Sequence, residues 1–99
     1  MKIAIASTGK EEESQIASVA GRAPYFLVYE KEILSETIKN PFAVGGGGAG
    51  DSVAKMLSDK KINKIIAGQF GDKMLNALKE RKIKYQEISN EKVKKVIKQ

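Results

Sequence analysis

The chain has 99 residues, 41% of them apolar and 30% charged, enough for one hydrophobic core but not two. It contains neither Cys nor His, which excludes disulfides, thiolate or imidazole ligation of a metal, and Ser-His or Cys-His catalysis. The formal charge of +6 is lopsided, −1 over residues 1–50 and +7 over residues 51–99, which reads either as a lysine-rich solvated surface or as a surface for an anionic partner.

KIAIAS (2–7) carries only apolar or small side chains after Lys2, the pattern of a central strand buried on both faces. Thr8-Gly9 breaks it. Residues 10–23 lack a sustained period and read as a long loop with room for one helical turn, and Glu11, Glu12 and Glu13 read as a solvated charged run. After Pro24, YFLVYE (25–30) is aromatic and β-branched, a strand. EILSETIK (32–39) sets Ile33, Ser35 and Thr37 against Leu34, Glu36 and Ile38, a strand with one wet face, joined to the previous one by a tight hairpin at Lys31.

Asn40-Pro41 ends that strand, and the stretch VGGGGAGDS (44–52) follows. Val53, Met56 and Leu57 then recur at helical spacing and predict a helix over about 50–58, with Asp51 in its first turn. KIIAG (64–68) is a second buried strand, and Gly68 and Gly71 bracket a turn. Met74, Leu75 and Leu78 predict a helix over about 72–81. KIKYQEI (82–88) is a further strand. Ser89 or Asn90 then caps a short helix that begins a basic C-terminal helix or tail over about 89–99. The order βββαβαβα predicts one α/β domain over 1–99, a mixed sheet of about five strands with helices packed on it. No apolar run approaches the ~18 residues of a membrane span and no leader is visible, so the chain reads as cytoplasmic.

The glycine loop is the conspicuous motif. Gly45, Gly47 and Gly50 satisfy G-x-G-x-x-G, but four consecutive glycines make that match cheap. A phosphate-binding P-loop needs Lys where this chain has Asp51, whose carboxylate repels phosphate. What the loop offers is backbone amides at a helix start, where anions are stabilised, and GQFGD (68–72) repeats the arrangement. Two such helix starts at one sheet end would line one crevice. Both also read as ordinary strand-to-helix turns. The first strand carries no carboxylate, so a two-metal nuclease site is not expected, and no catalytic set can be named.

Taken together, the MKIAIAS strand, G-R-A-P-Y-F-L-V (21–28), Asn40-Pro41, G-G-A-G opening a helix and I-I-A-G (65–68) carry a resemblance. From Met1 to about Glu87 the chain resembles the dinitrogenase iron–molybdenum cofactor biosynthesis family, the NifX-like proteins and the C-terminal domain of NifB. The resemblance implies an RNase H-like three-layer fold and a non-catalytic protein that binds or carries a small ligand or metal cluster. It further implies a ligand site at Gly21 and Arg22, at Gly46, Gly47, Gly48 and Gly50, and at Gly68 and Gly71, with no metal-ligating residue. The implied cofactor is an iron–sulfur-type cluster held without Cys or His. Family members often carry an aromatic residue or His before Gly-Arg-Ala, where this chain has Ala20. Met1, Met56 and Met74 are weak thioether donors, and the last two fall on apolar helix faces.

The partner expected is therefore an anionic small ligand or metal cluster, with a homodimer left open and no membrane. The alternative is a basic interaction module in which Lys92, Lys94, Lys95 and Lys98 bind nucleic acid or an acidic protein. Sixteen of the eighteen basic residues are Lys, whereas sequence-specific readers favour Arg, and the six aromatic residues are too few and too core-like for base stacking.

Overall fold

The computed structural model describes residues 1–44 and 49–97. Within them the elements are β1 (Lys2–Ser7), a 3-10 turn (Ala20–Arg22), β2 (Tyr25–Glu30), β3 (Ile33–Lys39), α1 (Ala49–Asp59), β4 (Lys64–Ala67), α2 (Asp72–Glu80), β5 (Lys84–Glu87) and α3 (Val93–Val96). The sheet runs β3-β2-β1-β4-β5. β1 lies at its centre, antiparallel to β2 and parallel to β4, which explains why Ala4, Ile5 and Ala6 are all buried. The α/β class expected, a five-stranded mixed sheet with helices packed on it, is the one that forms.

The strand pleat sorts the core into two layers. Ala4, Phe26, Val28 and Ile65 face α1 and α2, whose apolar stripes contribute Val53, Leu57, Met74 and Leu78. Burying each of the larger of these contributes about 1.5–3 kcal/mol relative to exposure. Ile5, Leu27, Tyr29 and Ile66 face the other way, against Ile16 and the short α3 with Val93 and Val96.

Two details of the β2–β3 hairpin differ from expectation. The turn has two residues, Lys31 at φ 51° and Glu32 at φ 65°, both in the left-handed region where Asn-Gly is the usual choice. A bulge also interrupts the ladder, with Val28 opposite Glu36 but Tyr29 opposite Leu34. The extra residue, Ser35, donates its hydroxyl to the Val28 carbonyl at 3.2 Å. Leu34 is thereby moved off the face shared by Glu36 and Ile38, so the simple alternation over 32–39 does not hold.

The segment 10–23 is more ordered than its composition suggests. Ser7 bridges to Ile16, Gln15 to Lys92 and Val19 to Gln69. Ile16, Ala17, Ala20 and Ala23 are buried. The acidic run is partly paired rather than simply solvated. Glu13 accepts from Lys94 at 2.6 Å and from Lys92 at 3.2 Å, and Glu12 accepts from the Tyr29 hydroxyl at 2.9 Å. Burial first, then the Glu12 bond and charge, push the Tyr29 hydroxyl above its ordinary value.

The Glu13 pair gives a pH-dependent prediction. Hydrogen bonds from Lys94 first and Lys92 second hold its carboxyl below the ordinary 4.5. A depressed carboxyl stabilises the fold above the unfolded value, and that contribution is lost as pH falls through the lowered folded one. Following the Glu13 carboxyl carbon by NMR should give a midpoint below 4.5 in the wild type. Lys94→Ala should bring it back up. A midpoint that ignores the substitution would show that the pair does not form in solution.

Candidate functional site

β1, β4 and β5 all end at one edge of the sheet, where β2 begins and β3 ends. That edge holds a cleft of about 310 Å³ walled by the 3-10 turn and by the N-termini of α1 and α2. Gly21, Arg22, Gly50 and Gly71 line it, with Asp72 and Lys73 beside them. The carboxyl ends of parallel strands are where α/β sheets usually place ligands.

Three local devices hold the walls. The first joins residues 17–20 to the turn after β4: Gly68 N–H donates to Ala17 O (2.9 Å), Gln69 N–H to Ser18 O (2.7 Å) and Ala20 N–H to Gln69 O (3.0 Å). The chains come so close that a Cβ on Gly68 would lie 2.7 Å from the Ser18 carbonyl oxygen. The second device is Asn40, 4% exposed. Its amide donates to Gly21 O (3.3 Å) and Ala23 O (2.9 Å), while its Oδ1 accepts from Phe42 N–H at 3.0 Å. The third is Gly50, where a Cβ would meet Met74 Cβ at 2.9 Å, so the glycine lets the start of α1 pack directly on α2.

Arg22 is half-buried, and its Nη1 donates to the Phe42 carbonyl at 3.1 Å. It braces the chain after β3 and also lines the cleft. Asp72 sets one negative charge against the two positive charges of Arg22 and Lys73, leaving the lining net positive. Gly71 caps α2 without a side-chain bond, so at this end of the cleft the cap residue offers the first-turn amides no side-chain acceptor.

The eight expected site residues, seven glycines and Arg22, therefore divide. Gly21, Arg22, Gly50 and Gly71 meet in one cleft. Gly68 is not part of its lining and serves as the contact with Ser18. Gly46, Gly47 and Gly48 lie outside the described residues. The GQFGD turn also offers fewer free amides than its composition suggests. Gly68 and Gln69 bond to residues 17 and 18, and Phe70 N–H donates to the Glu87 carboxylate at 3.2 Å. Asn40 is the important residue that sequence reasoning missed. Its place before Pro41 reads as a strand stop, and nothing nearby in sequence reveals carbonyls 17 and 19 positions away. Among the described residues no group of three or more carboxylates could hold a metal ion. None of their helices is long and apolar enough to cross a membrane.

Comparison with known proteins agrees with this fold. The family model described as dinitrogenase iron–molybdenum cofactor matches residues 1–99. The apo orange protein from Desulfovibrio gigas is similar in structure, with a TM-score of 0.89 and 24% identity over 98% of this chain and 83% of that one. A candidate NifB protein from Thermotoga, solved by NMR, gives a TM-score of 0.83 and 28% identity over 98% of this chain and 84% of that one. No curated protein matches the sequence.

Proposed function

The chain belongs to the dinitrogenase iron–molybdenum cofactor family, and from that premise we propose that it is a non-catalytic carrier of an anionic small ligand or metal cluster, held in the cleft between α1 and α2. The observation that supports this reading is the convergence of Gly21, Arg22, Gly50 and Gly71 beside the uncapped start of α2.

The donor set limits what the cargo can be. With no Cys and no His, the protein has no thiolate or imidazole to give to a cluster iron. Amide N–H groups, a guanidinium and an ammonium instead suit an anion that brings its own ligands, bound by hydrogen bonds and charge. Gly71 leaves the backbone open to close approach, whereas the Cα of Gly21 faces Gly50 at the start of α1. The alternative of a basic module on the C-terminal helix loses ground here, because Lys92 and Lys94 are engaged by Glu13.

Gly71→Asp separates binding from folding. A Cβ at position 71 meets nothing within 4 Å, and Asp is a good helix N-cap, so stability should stay within a few tenths of a kcal/mol or rise. The new carboxylate would repel an anion in the cleft by about 1 kcal/mol, roughly fivefold in retention. After anaerobic incubation with iron and sulfide and removal of unbound reagents, wild type should keep visible absorbance and Gly71→Asp should keep far less. Equal retention by the two would overturn the site. Salt-steep micromolar binding of RNA or DNA by the wild type would favour the basic module.

A further inference from the structure

The second face of the sheet carries a groove at the end opposite the cleft. The ladder registers align Leu34, Tyr29, Ile3, Lys64 and Lys84 in one row across all five strands. α3 and Ile16 pack on the next row, made by Leu27, Ile5 and Ile66. Below them lies a cavity of about 240 Å³, with Met1, Ile3, Tyr29 and Ile97 on its apolar side and Lys31 and Lys64 on its rim. Leu34, next in the row, is 40% exposed, and Met1 is 70% exposed.

The lysines stand there against local preference. Lys64 and Lys84 are directly opposite each other, a like-charge cross-strand pair that weakens a sheet. Neither forms an ion pair among the described residues. Lys31 occupies a left-handed turn position that suits Gly or Asn. Glu32 is the one carboxylate among the lining residues.

We propose that this groove docks a short acidic segment of a partner protein, with apolar anchors on Met1, Ile3 and Ile97 and carboxylates on Lys31, Lys64 and Lys84. Charge complementarity selects that occupant. A second copy in a two-fold arrangement would bring these same lysines together. The chain's own C-terminal stretch carries Lys94, Lys95 and Lys98, the wrong sign. Nucleic acid would want an exposed stacking ring, whereas Tyr29 is 3% exposed with its hydroxyl tied to Glu12. The proposal is independent of the cargo reading, since the two sites occupy opposite strand ends.

The test titrates the isotope-labelled chain with a short synthetic peptide alternating Asp or Glu with Leu or Phe, and with its Lys counterpart. The acidic peptide should shift the amides of Ile3, Tyr29, Leu34 and Lys64 and leave Gly21 and Gly71 in place. The pair of exchanges Lys64→Glu and Lys84→Glu should weaken binding at least about tenfold, with the thermal transition retained. Four results would each overturn the proposal: no shift at millimolar peptide, equal binding of the Lys peptide, shifts at the same amides with single-stranded RNA, or a concentration-dependent dimer that buries the groove.

Discussion

Replacing Gly68 with Ala is expected to destabilise the fold by about 2–3 kcal/mol, the upper range for overpacking a tight contact. The added Cβ would sit 2.7 Å from Ser18 O, 2.9 Å from Ser18 Cα and 3.1 Å from Ser18 C. All three are backbone atoms, so no side-chain rotation relieves the clash. Residues 17–20 would have to retreat, straining the three hydrogen bonds that join them to Gly68 and Gln69. For a domain of this size that should lower Tm by roughly 10–20 °C. Gly71→Ala is the control, since nothing lies near its Cβ position, and it should change stability by no more than about 0.5 kcal/mol. Urea titration of both proteins, with unchanged slopes, checks the contrast. Equal stability of the two variants would show that the 17–20 segment is not docked as described.

Asn40→Ala should cost about 2–4 kcal/mol, because it strands three backbone groups at once. Gly21 O and Ala23 O lose a donor and Phe42 N–H loses an acceptor, around a side chain that is almost fully buried. The Asp variant sharpens the assignment. Its carboxylate could still accept from Phe42 N–H, but it would face two carbonyl oxygens with no proton to give. At neutral pH Asn40→Asp should therefore be at least as unstable as Asn40→Ala. Its folded-state pKa should be raised, so stability is recovered below the unfolded value and lost as pH rises through the folded one. Denaturant midpoints of the two variants across the acid range would show the curves converging or crossing. Parallel curves would mean that the Asn40 amide is not the donor. Because Asn40 holds the carbonyls on either side of Arg22, both substitutions should also reduce cargo retention.

Much of this architecture was legible in the residues themselves. The runs at 2–7, 25–30 and 64–67 are strands because unbroken apolar or β-branched side chains suit a sheet covered on both faces. The helices at 49–59 and 72–80 follow from apolar spacing that fits one face of a helical turn. Gly50 and Gly71, at the starts of α1 and α2, do meet in one cleft, since parallel strands bring the loops that follow them to the same end of the sheet. Less legible were the features made by distant partners. Segment 10–23 has no period, because its order comes from bridges to Gln69 and Lys92. The bulge at Ser35 depends on the neighbouring strand and moves Leu34 to the groove face.

The sequence by itself determined the class of chemistry and the α/β pattern. Lacking Cys and His, the chain has no thiolate or imidazole to offer a metal, and its local periodicities specify which segments bury which faces. Only the tertiary structure decided where the charges and buried polar groups act. It engaged Lys92 and Lys94 with Glu13, left Lys64 facing Lys84 at the far end of the sheet, and turned Asn40 from a strand stop into the clasp of the cleft. Periodicity is a property of neighbours within a few residues, whereas hydrogen bonds and ion pairs join groups that meet only once the sheet has closed.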